Sequence, residues 1–171
     1  MRLLALLFMV LSAMWMAGDV ILGAVAAKGV FVHAPPSADL LSRDEAGAVF
    51  GGILRRWYAV VMVSFFPLVL VLGTSVTGLL LYQRQRVLAM GSILLLVGIV
   101  GIHLWSATVL NEAIAVAPPL AATATYTLAD REWFNVLHHR STTLFTSEAL
   151  LLLAAMIGAG VLLLRTPVTK R

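Results

Sequence analysis

The chain has 171 residues, 61% hydrophobic and 12% charged, with a mean hydropathy of +0.98. A soluble domain is about half apolar and about a quarter charged, so the composition excludes an ordinary soluble fold and points to an integral membrane protein. With no cysteine there are neither disulfides nor thiolate metal sites, and the net charge of +4 sits in connections and at the ends, not in a basic stripe, which excludes nucleic acid as a partner.

The first apolar run, "MRLLALLFMVLSAMWMAGDVILGAVAAKG", has features of a signal peptide: one arginine, then an apolar stretch, then "AVA". It is nevertheless long enough to span, and Asp19 interrupts it, so it reads as a retained first helix with a span at about 3–27. A long connection, 28–57, follows, with Pro35–Pro36 as a helix stop and His33 as a solvated loop residue. Within it, "SRDE" at Ser42–Glu45 is a capping-box pattern. The second helix is therefore expected to start near Arg43, ahead of its span at about 58–82, and to run to Tyr82. Trp57 and Tyr58 at one end and Tyr82 at the other read as interfacial anchors.

A tight link holding "QRQR" at 83–86 leads to a third span at about 87–110. Another long connection, 111–141, contains Pro118–Pro119. The fourth helix is expected to begin near Asp130, whose acid suits a helix N-terminus, and to run to Leu164, with its span at about 142–164. Backbone groups in lipid must be paired internally, so the spans are helices. The expected architecture is a single all-α transmembrane domain over 1–171. It is a four-helix bundle of two tandem helical hairpins, with helices 2 and 4 extending beyond the bilayer. "VHAPPSADLLSRDE" after the first span and "VAPPLAATATYTLADRE" after the third hint at an internal repeat of that hairpin.

Basic residues divide evenly between the two sides. Arg2, Arg84, Arg86, Arg165, Lys170 and Arg171 lie on one side; Lys28, Arg43, Arg55, Arg56, Arg131 and Arg140 lie on the other. The first group crowds the span ends and the short link, which favours that side, carrying both termini, as cytoplasmic. A bacterial inner membrane is the expected location.

Polar residues recur at one depth. On helix 4, Phe134, His138, Ser141, Phe145, Glu148, Leu152, Ala155 and Ala159 follow a heptad stripe and should share the inward face. Glu148 then lies about 10 Å below Ser141 along the helix. His103 lies at a similar distance from the end of span 3, Asp19 from the end of span 1, and Ser64 from the start of span 2. On helix 1, Ser12, Trp15 and Asp19 form one stripe. A charge at the bilayer centre costs about 2.5–3.5 kcal/mol on insertion scales, so such groups turn inward and find partners.

Asp19, His103 and Glu148 are therefore candidates for a proton- or cation-handling layer, with Ser64, His138 and Ser141 beside it. The same three are hard-to-borderline ligands for a divalent metal. The alternative is a buried hydrogen-bond network that fixes helix register. Haem is disfavoured, because His103 lies about 10 Å deeper than His138 and His139. Gly73, Gly78, Gly98, Gly101, Gly158 and Gly160 read as sites of close helix approach. No phosphate loop, nucleophile elbow or redox cysteine pair argues for an enzyme.

"F-x-x-x-H-x-x-S" at Phe134, His138 and Ser141 resembles the start of the last helix of the transmembrane protein 205-like family. "WMAG" at Trp15–Gly18 resembles its first-helix pattern, and "VFVHAPPSADLLSRDEAGAVFGGILRRW" its proline-containing connection and the start of helix 2. Bacterial members of that family are mostly filed under a domain of unknown function. The resemblance implies a four-helix membrane protein and no settled activity. Where such relatives often have asparagine seven residues after the histidine, this chain has Phe145, for which Glu148 would compensate. The leading expectation is a small polytopic membrane protein that binds or moves a small cation or proton through the Asp19–His103–Glu148 layer. The alternatives are a structural or assembly subunit of a larger membrane complex and a haem-binding electron-transfer subunit. Expected partners are the lipid bilayer, a second copy of the chain or that larger complex.

Overall fold

The computed structural model describes residues 1–26, 43–116 and 128–165. The proline stops, His33, Lys28, Ser42, Lys170 and Arg171 lie outside the described residues, as do the side chains of Arg43, Glu45, Asp130, Arg131 and Phe134.

Among the described residues every element is helical. Helix α1 (Arg2–Val20) continues into a π-helical stretch, Ile21–Ala26; α2 (Arg43–Val60) passes through a π-helical turn, Val61–Phe65, into α3 (Phe66–Tyr82); α4 (Arg86–Val116) and α5 (Leu128–Arg165) follow. Four stretches are long and apolar enough to cross a membrane: Arg2–Ala26, Val49–Tyr82, Arg86–Ala113 and Asn135–Arg165. A span needs about 20 residues, so the second and fourth helices exceed it, as does the 31-residue α4. The overrun of α4, through Glu112 to Val116, was not expected from the apolar pattern, which fades after Leu110.

The link between the second and third spans is a tight turn. Gln83, Arg84 and Gln85 donate their N–H groups to the carbonyls of Leu79, Leu81 and Leu80. Arg84 adopts a left-handed backbone, φ 59°, which ends α3 by closing its last carbonyls.

Three buried clusters fix the topology. Ala5, Val76, Leu80, Ala89 and Leu162 meet at one end; Phe8, Trp15, Val61, Val69, Leu96, Ile99, Leu152, Ala155 and Ala159 fill the middle; Val109, Ala113, Leu137 and Leu144 close part of the other end. The start of the first span thus meets the end of the second, the start of the third and the end of the fourth. The bundle is up-and-down, with the fourth span packed on both the first and the third. Lipid tails are as apolar as leucine, so association rests on close packing and interhelical polar contacts. Accordingly, Leu94, Val97, Leu150 and Ile157 face outward, while Ser12, Asp19, Thr77, His103, Ser106, Ser141 and Glu148 are buried.

The second helix was expected to be continuous. Its wide turn has a local cause and a consequence. Pro67 lacks an N–H, and its ring would strike the carbonyl four residues back. Just before it, the Phe66 N–H bonds to the Val61 carbonyl, five residues back, which widens the backbone there. Eight residues of regular α-helix leave their ends about 80° apart, and one extra residue in a wide turn offsets about 100°, which leaves them only about 20° apart. Residues eight apart therefore share a face across the turn. Tyr58 and Phe66 both pack on His103, Trp57 packs on Phe65, and Val61 and Val69 are both core.

Candidate functional site

His103, on α4, is fully buried inside an aromatic cage. The Tyr58 ring stacks on it at 4.8 Å between centroids and 11° between planes; Phe66 lies on it at 4.6 Å, and Trp15 of α1 meets it edge-on at 4.8 Å. Both ring nitrogens are engaged. Nδ1 is 2.6 Å from Oε1 of Glu148 on α5 and 3.2 Å from the Tyr58 hydroxyl, which also donates to the His103 carbonyl; Nε2 faces the Met62 sulfur at 3.0 Å. Glu148 is 0% exposed, and its Oε2 has no hydrogen-bond partner among the described residues.

Donor and acceptor rules assign the protons. A thioether sulfur accepts only, so Nε2 carries a hydrogen. One further proton then lies between Nδ1 and Oε1. If it sits on Oε1, the couple is neutral imidazole and carboxylic acid; if on Nδ1, it is imidazolium and carboxylate. Both forms have zero net charge, which suits a site in low dielectric where an uncompensated charge costs several kcal/mol or more. Tyr58 distinguishes them. With its proton on the His103 carbonyl, its oxygen can only accept, and it gains from an Nδ1–H. The aromatic faces also favour a cation.

Tyr58→Phe tests this assignment. The variant should lose about 1 kcal/mol of stability, the usual net worth of a hydrogen bond. Nitrogen NMR of His103 should show the Nδ1 proton shifting toward Glu148. An unchanged nitrogen spectrum would show that the hydroxyl does not choose between the forms.

The second ionisable group is Asp19. Its Oδ1 accepts from the Trp57 indole N–H at 2.8 Å, and its Oδ2 has no hydrogen-bond partner among the described residues. The indole reaches it by lying over Gly18, where a Cβ would overlap the ring. Each hairpin therefore joins an ionisable group on its first helix to its second helix: Asp19 to Trp57, and His103 to Glu148. Asp19, Glu148 and Tyr58 also act on one another electrostatically.

Compared with known proteins, the chain matches no family model, no curated protein and no solved structure.

The remaining residues singled out from the sequence lie elsewhere. Ser64 is exposed on the outer side of the wide turn, because that turn aims Tyr58, Val61 and Phe66 inward. His138 is also exposed. Toward its start the inward face of α5 runs through Leu144 and Leu137 instead of Phe145 and His138. A regular helix drifts by about 20° per heptad from a strict heptad stripe, and the leucines take the buried positions. Ser141 is buried, but its hydroxyl bonds within its own helix, to the His138 carbonyl at 2.9 Å.

Among the described residues no three His, Cys, Asp or Glu side chains converge as metal ligands. The Asp19–His103–Glu148 set is divided, with Asp19 turned to Trp57 and His103 to Glu148. Haem ligation at His103 would require breaking the contact at one of its nitrogens. Of the glycines read as close approaches, Gly73 meets Leu96 and Phe8 and Gly98 meets Leu151, whereas Gly78, Gly101, Gly158 and Gly160 face open space.

Trp57 and Tyr58, read as interfacial anchors, are instead the two side chains that reach the buried acid and the buried histidine. Trp15, Phe66 and Met62 were also passed over as site residues. The eight-residue spacing across Pro67 is the sequence signal that pairs Phe66 with Tyr58; Trp15 shares the helix-1 stripe of Ser12 and Asp19.

Proposed function

We propose that this is a small polytopic membrane protein that binds or moves a small cation or a proton through the buried His103–Glu148 couple. The observation that carries the reading is the 2.6 Å contact between two fully buried ionisable groups, with one carboxylate oxygen left without a partner. An unpartnered buried oxygen costs about 1–3 kcal/mol. A proton or a cation on Oε2 relieves that cost, and intramembrane ionisable groups mark ion and proton pathways in membrane proteins. A subunit with a purely structural role is expected to satisfy its polar groups among themselves. Among the described residues Asp19 Oδ2, Glu148 Oε2 and Ser12 Oγ have no hydrogen-bond partner, which favours the ion-handling reading over the assembly reading.

The proposal includes membership of the transmembrane protein 205-like family. Support comes from Trp15 and Gly18 of the "WMAG" motif, which border the histidine cage and the Asp19 notch; Phe145, where such relatives often have asparagine, is a departure. It also includes a bacterial inner-membrane location with both termini cytoplasmic, supported by Arg2, Arg84, Arg86 and Arg165 at one end of the bundle.

The test is ion movement in liposomes under an imposed potential, read with proton- and cation-sensitive dyes. The wild type should give a signal that Glu148→Gln abolishes. Equal signals from the two proteins, for protons and for cations alike, would remove the couple from any ion-handling role.

A further inference from the structure

We infer that Asp19 is the station through which a proton reaches the His103–Glu148 couple from the side of the two long connections, and that the Trp57 indole covers that station. The inference rests on the reading of the couple as an ion-handling site and names the proton as the ion.

Three observations carry it. First, Asp19 and Glu148 each have one oxygen tied down and one open: Oδ1 is held by Trp57 and Oε1 by His103, while among the described residues Oδ2 and Oε2 have no hydrogen-bond partner. Two buried carboxyl groups that each keep an open oxygen are equipped to pass a proton between them. Second, the two groups differ in access. Asp19 keeps 8% exposure, whereas His103 and Glu148 have none, so Asp19 is the outermost of the three groups. Third, the cover is fitted. The half-buried Trp57 indole occupies the notch over Gly18 and donates to Asp19, and it packs on Phe65 at 5.9 Å between centroids. Trp57 stands directly before Tyr58, so one turn of α2 touches both the outer acid and the inner couple.

The divalent-metal alternative lacks its third ligand among the described residues. The proton needs none. In the transfer, the O–H bond at Asp19 Oδ2 breaks and an O–H bond forms at Glu148 Oε2, through an intervening water where the oxygens do not meet. Asp19 is left as a carboxylate that still accepts from Trp57, and it takes its next proton from water on the long-connection side. The arriving proton raises the charge of the couple from zero to one. The shared proton settles on Nδ1, and the positive charge spreads over an imidazolium stacked on the rings of Tyr58 and Phe66. The titratable groups that bear on Asp19 from the packed helices are Tyr58 on α2 and Glu148 on α5, with His103 on α4 reached through both.

The experiment is time-resolved infrared difference spectroscopy of the full-length protein in liposomes after a pH jump on the long-connection side. The Glu148 carboxylic-acid band is identified by its loss in Glu148→Gln. Asp19→Asn keeps an acceptor for the Trp57 N–H and should leave the final Glu148 band intact. It should slow the appearance of that band about a hundredfold, the low end of what a positioned acid–base group contributes. Trp57→Phe removes the N–H and part of the cover and should speed it. An unchanged rate in Asp19→Asn, with the Glu148 band present, overturns the station while leaving the couple standing. An unchanged or slower rate in Trp57→Phe overturns the cover. Absence of any Glu148 band in the wild type overturns the reading of the couple itself.

Discussion

Replacing Glu148 with leucine is expected to destabilise the bundle by about 3–5 kcal/mol, the usual cost of removing one partner of a buried ion pair. Thermal unfolding in detergent, followed by circular dichroism, reads the loss. The substitution leaves His103 Nδ1 facing only the Tyr58 hydroxyl, inside a fully buried aromatic cage. His103→Leu should be costly too, because it strands the Glu148 carboxylate, whose other oxygen already lacks a partner. The pair of single variants does not by itself separate a favourable interaction from a desolvation penalty. The double variant does. Two leucines at His103 and Glu148 remove both polar groups at once, and apolar replacement of a buried pair is often neutral or stabilising. The expected outcome is therefore a double variant more stable than either single one, with strong coupling across the cycle. Additive losses would mean that the two side chains contribute separately, and the 2.6 Å contact would then carry no special energy. A double variant that is stable but silent in ion-movement assays would show that the couple serves function at a cost in stability.

Much of the architecture was legible from apolar run length alone, because a bilayer admits only internally paired backbone. The existence of four helices, the link at Gln83–Gln85 and the inward turn of Asp19, His103 and Glu148 all follow from that constraint and from the cost of a charge in lipid. Depth was legible because it scales with residue count. Rotation was less so. The inward face of α5 was assigned correctly for Ser141, Glu148, Leu152, Ala155 and Ala159, but it was carried too far back, to His138, where Leu137 is the buried residue. The same limit hid Tyr58 and Trp57. Both stand just before a wide turn that shifts the helix by one residue, and a regular 3.6-residue period places Tyr58 and Phe66 on different faces. An aromatic pair at a span's edge also has an ordinary explanation as an interfacial anchor, and nothing in composition separates that role from a reach inward to an acid.

Gly18→Ala is the second substitution with a large expected effect, and two opposed contributions make its sign informative. Alanine is the better helix former, by about 1 kcal/mol in a helix interior, so at an unhindered position the change should stabilise. Gly101 and Gly158 are such positions, helical with open space around them, and alanine there should be neutral or favourable. At Gly18 the new Cβ would fall within the Trp57 ring. Either the indole turns away, giving up its bond to Asp19, or the first and second spans move apart. Overpacking of this kind costs about 1–3 kcal/mol, enough to outweigh the gain in propensity. The expected result is a lowered unfolding midpoint for Gly18→Ala beside an unchanged or raised one for Gly101→Ala, and a change in tryptophan fluorescence confined to the former. Shrinking the ring should relieve the clash. Gly18→Ala combined with Trp57→Leu is expected to lose less than the sum of the two single variants, because each substitution makes room for the other. If Gly18→Ala behaves like Gly101→Ala, Trp57 does not rest in that notch, and its hold on Asp19 fails with it.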